Sequence, residues 1–122
     1  LLRKDGGSDP GVIRLLAEVE LEKDNFDEAM NYCNQLIVAE PQNSVAYEQR
    51  ARIFAEKGNP AAGLIDINRS IELDKERVSP YLTKGMLLEA LDRNSEICGV
   101  AKQAMKNNIA EASLGNLMVH CP

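Results

Sequence analysis

From Pro10 onward the apolar residues fall into short amphipathic stretches separated by polar breaks. Their spacing predicts helices, because one helical face recurs about every 3.6 residues whereas a strand face recurs at every second residue. Three breaks, EKDN, EKGNP and LDRNS, are short and contain good N-cap residues. Pro60 follows Asn59, where a helix accepts proline at its first position. Three others, AEPQNS, LDKERVSP and KNNIAEA, are longer. Within the second of these, Ser79 followed by Pro80 predicts another helix start of the same cap-plus-proline kind.

The helical stretches pair, and the pairs repeat. PGVIRLLAEVELEKDNFDEAMNYCNQLIVAEPQN, SVAYEQRARIFAEKGNPAAGLIDINRSIELDKER and VSPYLTKGMLLEALDRNSEICGVAKQAMKNNIAE align without gaps, and Ala17, Ala51 and Gly85 stand 34 residues apart. Residues 10–43, 44–77 and 78–111 therefore read as three helix–turn–helix repeats. Small residues at the eighth position let the paired helices approach closely. No pair can bury its apolar face alone, so neighbouring pairs must stack. Residues 1–9, LLRKDGGSD, read in register as the tail of a preceding repeat or a linker, with Leu1 and Leu2 on its packing face. Opening on Leu1 rather than Met, the chain reads as a fragment or a processed form. Residues 112–122 read as a further first helix that caps the stack.

A gapless 34-residue period with two helices per unit resembles the tetratricopeptide repeat (TPR). The family's early aromatic is matched by Tyr47 and Tyr81, with Ile13 in the first repeat. Its small eighth residue is Ala17, Ala51 and Gly85, and the bulky residue three later is Phe54 and Leu88. Glu20 departs from the pattern at that place, and the turn glycine is kept only as Gly58. The small residue opening the second helix is Ala29 and Gly63, with Ile97 in the third repeat. The late small residue is Ser70 and Ala104, with Leu36 in the first, and the closing proline survives only as Pro41. The resemblance implies an all-α fold, a right-handed α-solenoid with a C-terminal capping helix.

Composition narrows the function. Aromatics make up 4% of the chain and Trp is absent, which favours helix over strand. Charged residues at 27% and hydrophobic ones at 44% allow a packed core, and no apolar run nears the roughly 18 residues of a membrane span. The net charge of −5, with both signs interspersed, repels nucleic-acid phosphates and anionic lipid. One histidine cannot build a histidine cluster, no Cys or His lies at zinc-finger spacing, and KDGGSD lacks the Lys-Ser of a phosphate loop. The reading is a non-enzymatic protein without cofactor or metal. His120, beside Cys121, has no second histidine and no carboxylate at a defined spacing.

Three cysteines allow one intramolecular disulfide and one odd thiol. Cys33 falls at an inward position of a second helix and reads as a small buried hydrophobe. Cys98 and Cys121 lie on consecutive antiparallel helices at equal rise from the turn, and so at one level. Spacing alone does not say whether their side chains point together. The last 28 residues, SEICGVAKQAMKNNIAEASLGNLMVHCP, also resemble the Cys-bearing final half-repeat of some bacterial, often exported, TPR proteins. Two states stay open at this point: a Cys98–Cys121 disulfide, or two reduced and packed thiols. The disulfide would imply an oxidising compartment, which slightly favours a periplasmic or exported location over the cytoplasm.

The resemblance also implies a site. TPR modules bind peptides, helices or proteins on the concave face lined by first helices, at the second, fifth, ninth and twelfth positions of each repeat. Here these are Gly11, Arg14, Glu18 and Leu21, then Val45, Glu48, Arg52 and Ala55, then Ser79, Leu82, Met86 and Glu89. Ser113, Asn116 and His120 would continue the surface. Arg14, Glu18, Glu48, Arg52, Leu82, Met86 and Glu89 form the expected partner groove, with Leu82 and Met86 as its apolar patch. Arg14–Glu18 and Glu48–Arg52 are also i,i+4 pairs that can stabilise their own helices. The carboxylate clamp that some TPR domains use for chaperone tails is not expected. Of its matching positions Arg14, Glu18, Gln49, Ser79 and Thr83, only Arg14 fits, and Glu18 would repel a carboxylate. The alternative reading is a structural, self-associating segment of a longer solenoid with no dedicated ligand.

Overall fold

The computed structural model describes residues 9–122, so the expected tail over residues 1–9 lies outside the described residues apart from Asp9. Among these the chain is entirely helical. α1 runs Pro10–Glu22, α2 Phe26–Ala39, α3 Ser44–Glu56, α4 Pro60–Leu73, α5 Val78–Ala90, α6 Ile97–Lys106 and α7 Gly115–Met118. Short 3-10 turns at Asn94–Glu96 and Glu111–Leu114 lead into α6 and α7. Caps appear where the polar breaks place them. Asp9 accepts from the Gly11 amide, Asn43 from Ala46 and Asn59 from Ala62.

The turns within the pairs share one construction. After α1, α3 and α5 a single residue takes a left-handed conformation: Asp24 (φ 60°), Gly58 (φ 82°) and Asp92 (φ 56°). The following amide then reaches back to the helix, Asn25 to the Glu20 carbonyl (2.9 Å), Asn59 to Phe54 (2.8 Å) and Arg93 to Leu88 (2.8 Å). These bonds satisfy carbonyls that a helix end would otherwise leave unpaired. The turn position that carries glycine only at Gly58 is thus filled by aspartate in the other two repeats. Aspartate tolerates this backbone better than most side chains. The departure at Glu20 belongs to the same turn, since its carboxylate accepts from the Asn25 side-chain amide at 2.8 Å.

Small residues set the helix spacing. Ala17 and Ala51 are buried, and a Cβ built on Gly63 would lie 2.8 Å from the Ala51 carbonyl oxygen and 3.0 Å from Leu87 Cδ2. α3 and α4 can therefore meet only across a glycine. In succession α1 touches α3, α3 touches α5 and α5 touches α7, whereas among the described residues no second helix touches the next second helix. Such a stack curves with its first helices on the inside.

The end of the stack departs from expectation. A helix over 112–121 is predicted, but the segment is a 3-10 turn followed by one turn of α-helix. No side chain caps its start, and the chain must bury Ile109, Leu114 and Leu117 in quick succession before returning Cys121 to α6. Leu114, Leu117 and Cys121 keep the i, i+3, i+7 spacing of one helical face, so the break reflects the uncapped 3-10 start rather than the burial pattern. The burial of Leu114 and Leu117 contributes about 3–6 kcal/mol.

The predicted start of α5 also moves. Arg77 takes the N-cap place without a side-chain cap bond, so Ser79 and Pro80 lie inside the first turn. The reason is that the Ser79 hydroxyl donates instead to Glu48 of the preceding pair.

Candidate functional site

The inner face is the candidate site, and its expected residues have different fates. Arg14 and Glu18 are partly exposed and pair with each other at 3.3 Å, along one face of α1. Arg52 is exposed and has no ion-pair partner among the described residues. Glu48 is a correction. Rather than facing a partner or pairing with Arg52, it is 5% exposed and held by the Arg77 guanidinium and the Ser79 hydroxyl. A buried carboxylate needs such partners to stay charged.

Arg77 also donates to Ser44 Oγ at 2.8 Å, and Ser44 Oγ in turn lies 2.9 Å from the Ser70 carbonyl. Ser70 Oγ donates to the Ser44 carbonyl at 2.8 Å. This clasp joins α3, α4 and the entry to α5. A second clasp lies nearby, where Arg50 makes two parallel bonds to Asp66 (2.7 and 2.8 Å) and a third to Asn34 (3.2 Å). Neither Arg77 nor Arg50 is singled out by the repeat pattern, because long-range ion pairs leave no periodic trace.

At the far end the expected residues converge. Leu82, Met86 and Glu89 of α5 line a cavity of about 620 Å³ together with Asn116, Val119 and His120 from the terminal segment. Thr83, Gly85, Ile97 and Leu117 complete it. Leu82 is half-buried against the core, while Met86 and Glu89 are exposed. Gly85 makes this closure possible, since Leu117 Cδ2 sits 2.2 Å from where a Cβ would stand. Asn116 and His120 thus share one hollow with the α5 residues, whereas Ser113 is exposed and does not line it.

Next in sequence to two lining residues, Ile97 and His120, Cys98 and Cys121 are joined, with Sγ–Sγ 2.03 Å and Cα–Cα 4.9 Å. Cys33 stands apart, fully buried with Ala17, Ala29 and Ile53. Burial pushes its thiol up to about 12. Among the described residues no group of acidic, histidine or cysteine side chains could hold a metal ion, and no helix is long and apolar enough to cross a membrane.

No family model matches the chain. It is similar to DnaJ homolog subfamily C member 3 of Rattus norvegicus, 31% identical over 84 residues that cover 69% of this chain and 17% of that protein. The chain spans less than a quarter of the length of the curated relatives it matches. Among solved structures it is similar to the TPR2B domain of yeast Sti1 in complex with pHsp70, with TM-score 0.81 and 20% identity, covering 91% of this chain and 94% of that one. It is likewise similar to the first TPR of Spaghetti (RPAP3) bound to the HSP90 peptide SRMEEVD, with TM-score 0.78 and 18% identity, covering 91% and 89%. The expected likeness to bacterial exported proteins is not supported, since the relatives are eukaryotic.

Proposed function

Starting from a tetratricopeptide-repeat solenoid, we propose that the chain is a non-enzymatic protein-interaction module that takes a peptide, helix or protein partner on its first-helix face. The observation that carries this reading is the hollow of about 620 Å³ where Leu82, Met86 and Glu89 meet Asn116, Val119 and His120. It offers an apolar floor with a carboxylate, an amide and an imidazole at its rim, the mixture that anchors and orients a peptide side chain. The exposed thioether of Met86 adapts to different shapes. Support also comes from two solved proteins of the same fold, one in complex with pHsp70 and one with an HSP90 peptide.

Arg14, Glu18 and Arg52 extend the surface toward the first repeat. Glu18 sits on Arg14, which leaves that end poorly suited to an acidic tail. Titration with SRMEEVD is accordingly expected to show no saturable binding. Saturable binding that Arg14→Ala abolishes would overturn this part of the reading.

The partner site itself is tested with Met86→Glu. The variant is expected to lose partner capture in a pull-down read by mass spectrometry while its helical circular dichroism stays unchanged. Undiminished capture counts against the α5 hollow. The Cys98–Cys121 bond, where it forms, suits an oxidising compartment.

A further inference from the structure

We propose that the Cys98–Cys121 bond is a reducible latch that holds one wall of the α5 hollow in place, so that the hollow exists in the oxidised chain and opens in the reduced one. The use of that hollow for binding rests on the reading above; the latch does not.

Four observations converge on this. Asn116, Val119 and His120 form one side of the hollow and all lie in the segment after α6. That segment holds a 3-10 turn and a single helical turn, too little hydrogen-bonded structure to persist alone. Its apolar anchorage is two buried leucines, Leu114 and Leu117, with Met118 and Cys121 only partly buried beside them, set against the entropy of ordering residues 111–121. The covalent bond then fixes its far end to α6, across a separation of 23 residues.

The two sulfurs are unequally placed. Cys98 is 9% exposed, whereas Cys121 is partly exposed at the open end of the segment. A dithiol reductant is therefore expected to attack at Cys121. Its thiolate bonds to Cys121 Sγ, and Cys98 Sγ leaves with the bonding pair and takes up a proton. The reductant's second thiol then attacks the mixed disulfide, loses its proton and releases the Cys121 thiol. The protein disulfide gains two electrons, and the dithiol is oxidised to its own disulfide. Cys33 is no competitor. It is fully buried in the cluster around Ala17, and its raised ionisation leaves almost no thiolate to react.

The test is hydrogen exchange read by mass spectrometry on the full chain, produced in an oxidising compartment, before and after treatment with dithiothreitol. The oxidised chain is expected to show one free thiol when unfolded and the reduced chain three. On reduction, exchange over residues 111–121 should speed up on the order of a hundredfold, while α2 to α4 keep their protection. The double variant Cys98→Ser, Cys121→Ser should match the reduced chain without any reductant. Three free thiols before reduction would overturn the latch. So would unchanged exchange in 111–121, or acceleration spread evenly over α1 to α6. None of these outcomes depends on a partner, so a failed Met86→Glu experiment and a failed latch are separable.

Discussion

Asp24, Gly58 and Asp92 occupy one structural position with two chemistries. The left-handed backbone costs a non-glycine residue up to about 1–2 kcal/mol, and aspartate near the low end of that range. Asp92→Gly is thus expected to gain about 0.5 kcal/mol, net of glycine's larger entropy loss on folding. That gain corresponds to a thermal midpoint about 2 °C higher. A midpoint that falls in calorimetry would mean that the Asp92 side chain stabilises the turn by more than its left-handed backbone costs. Glu48 gives the opposite case. Replacing it by alanine leaves Arg77 and Ser79 without their shared acceptor and should cost on the order of 2 kcal/mol. Denaturant unfolding measures this, and a cost near zero would return Glu48 to the partner face.

At the scale of elements, the apolar period and the capping residues made α1 to α4 readable from the sequence, and the 34-residue register set which helices pair. The errors came where a non-local bond outweighs a local signal. Ser79-Pro80 carries a sound start signal, yet Glu48 draws the serine away and α5 begins at Val78. The terminal helix is broken too, into a 3-10 turn and one α turn with no side-chain cap at either start. Of the candidate site, Leu82, Met86 and Glu89 were placed by repeat position, whereas the loss of Glu48 to Arg77 has no sequence signature. Helix pairing itself can be tested at Gly63. On an isolated helix Gly63→Ala would gain about 1 kcal/mol. Here the added Cβ meets the Ala51 carbonyl at 2.8 Å, an atom that cannot turn aside. Overpacking of this kind costs about 1–3 kcal/mol, so a net loss of about 1 kcal/mol is expected in thermal unfolding. A stabilised variant would mean that α3 and α4 separate freely.

For the whole molecule, helix contacts among the described residues run only between neighbours in the stack, which makes stability a sum over adjacent pairs rather than a property of one core. The middle pair, α3 and α4, has a described pair on each side and is joined to α5 by the Arg77 clasp. Native-state hydrogen exchange is expected to be slowest in α3 and α4 and faster in the short terminal segment 111–121. Uniform protection along the chain would contradict additive stacking.

The segment Asp74–Arg77 is a surface connection between helix pairs, and surface connections generally accept added length at little cost. This one should not. The Tyr81 hydroxyl donates to the Lys75 carbonyl at 2.7 Å while Arg77, two residues on, reaches Ser44 and Glu48. The connection thus works as a ruler from Lys75 onward. A repeat array lengthened by evolution or by engineering would have to grow by whole units here, because an insertion between Lys75 and Val78 shifts at least one grip away from its partner.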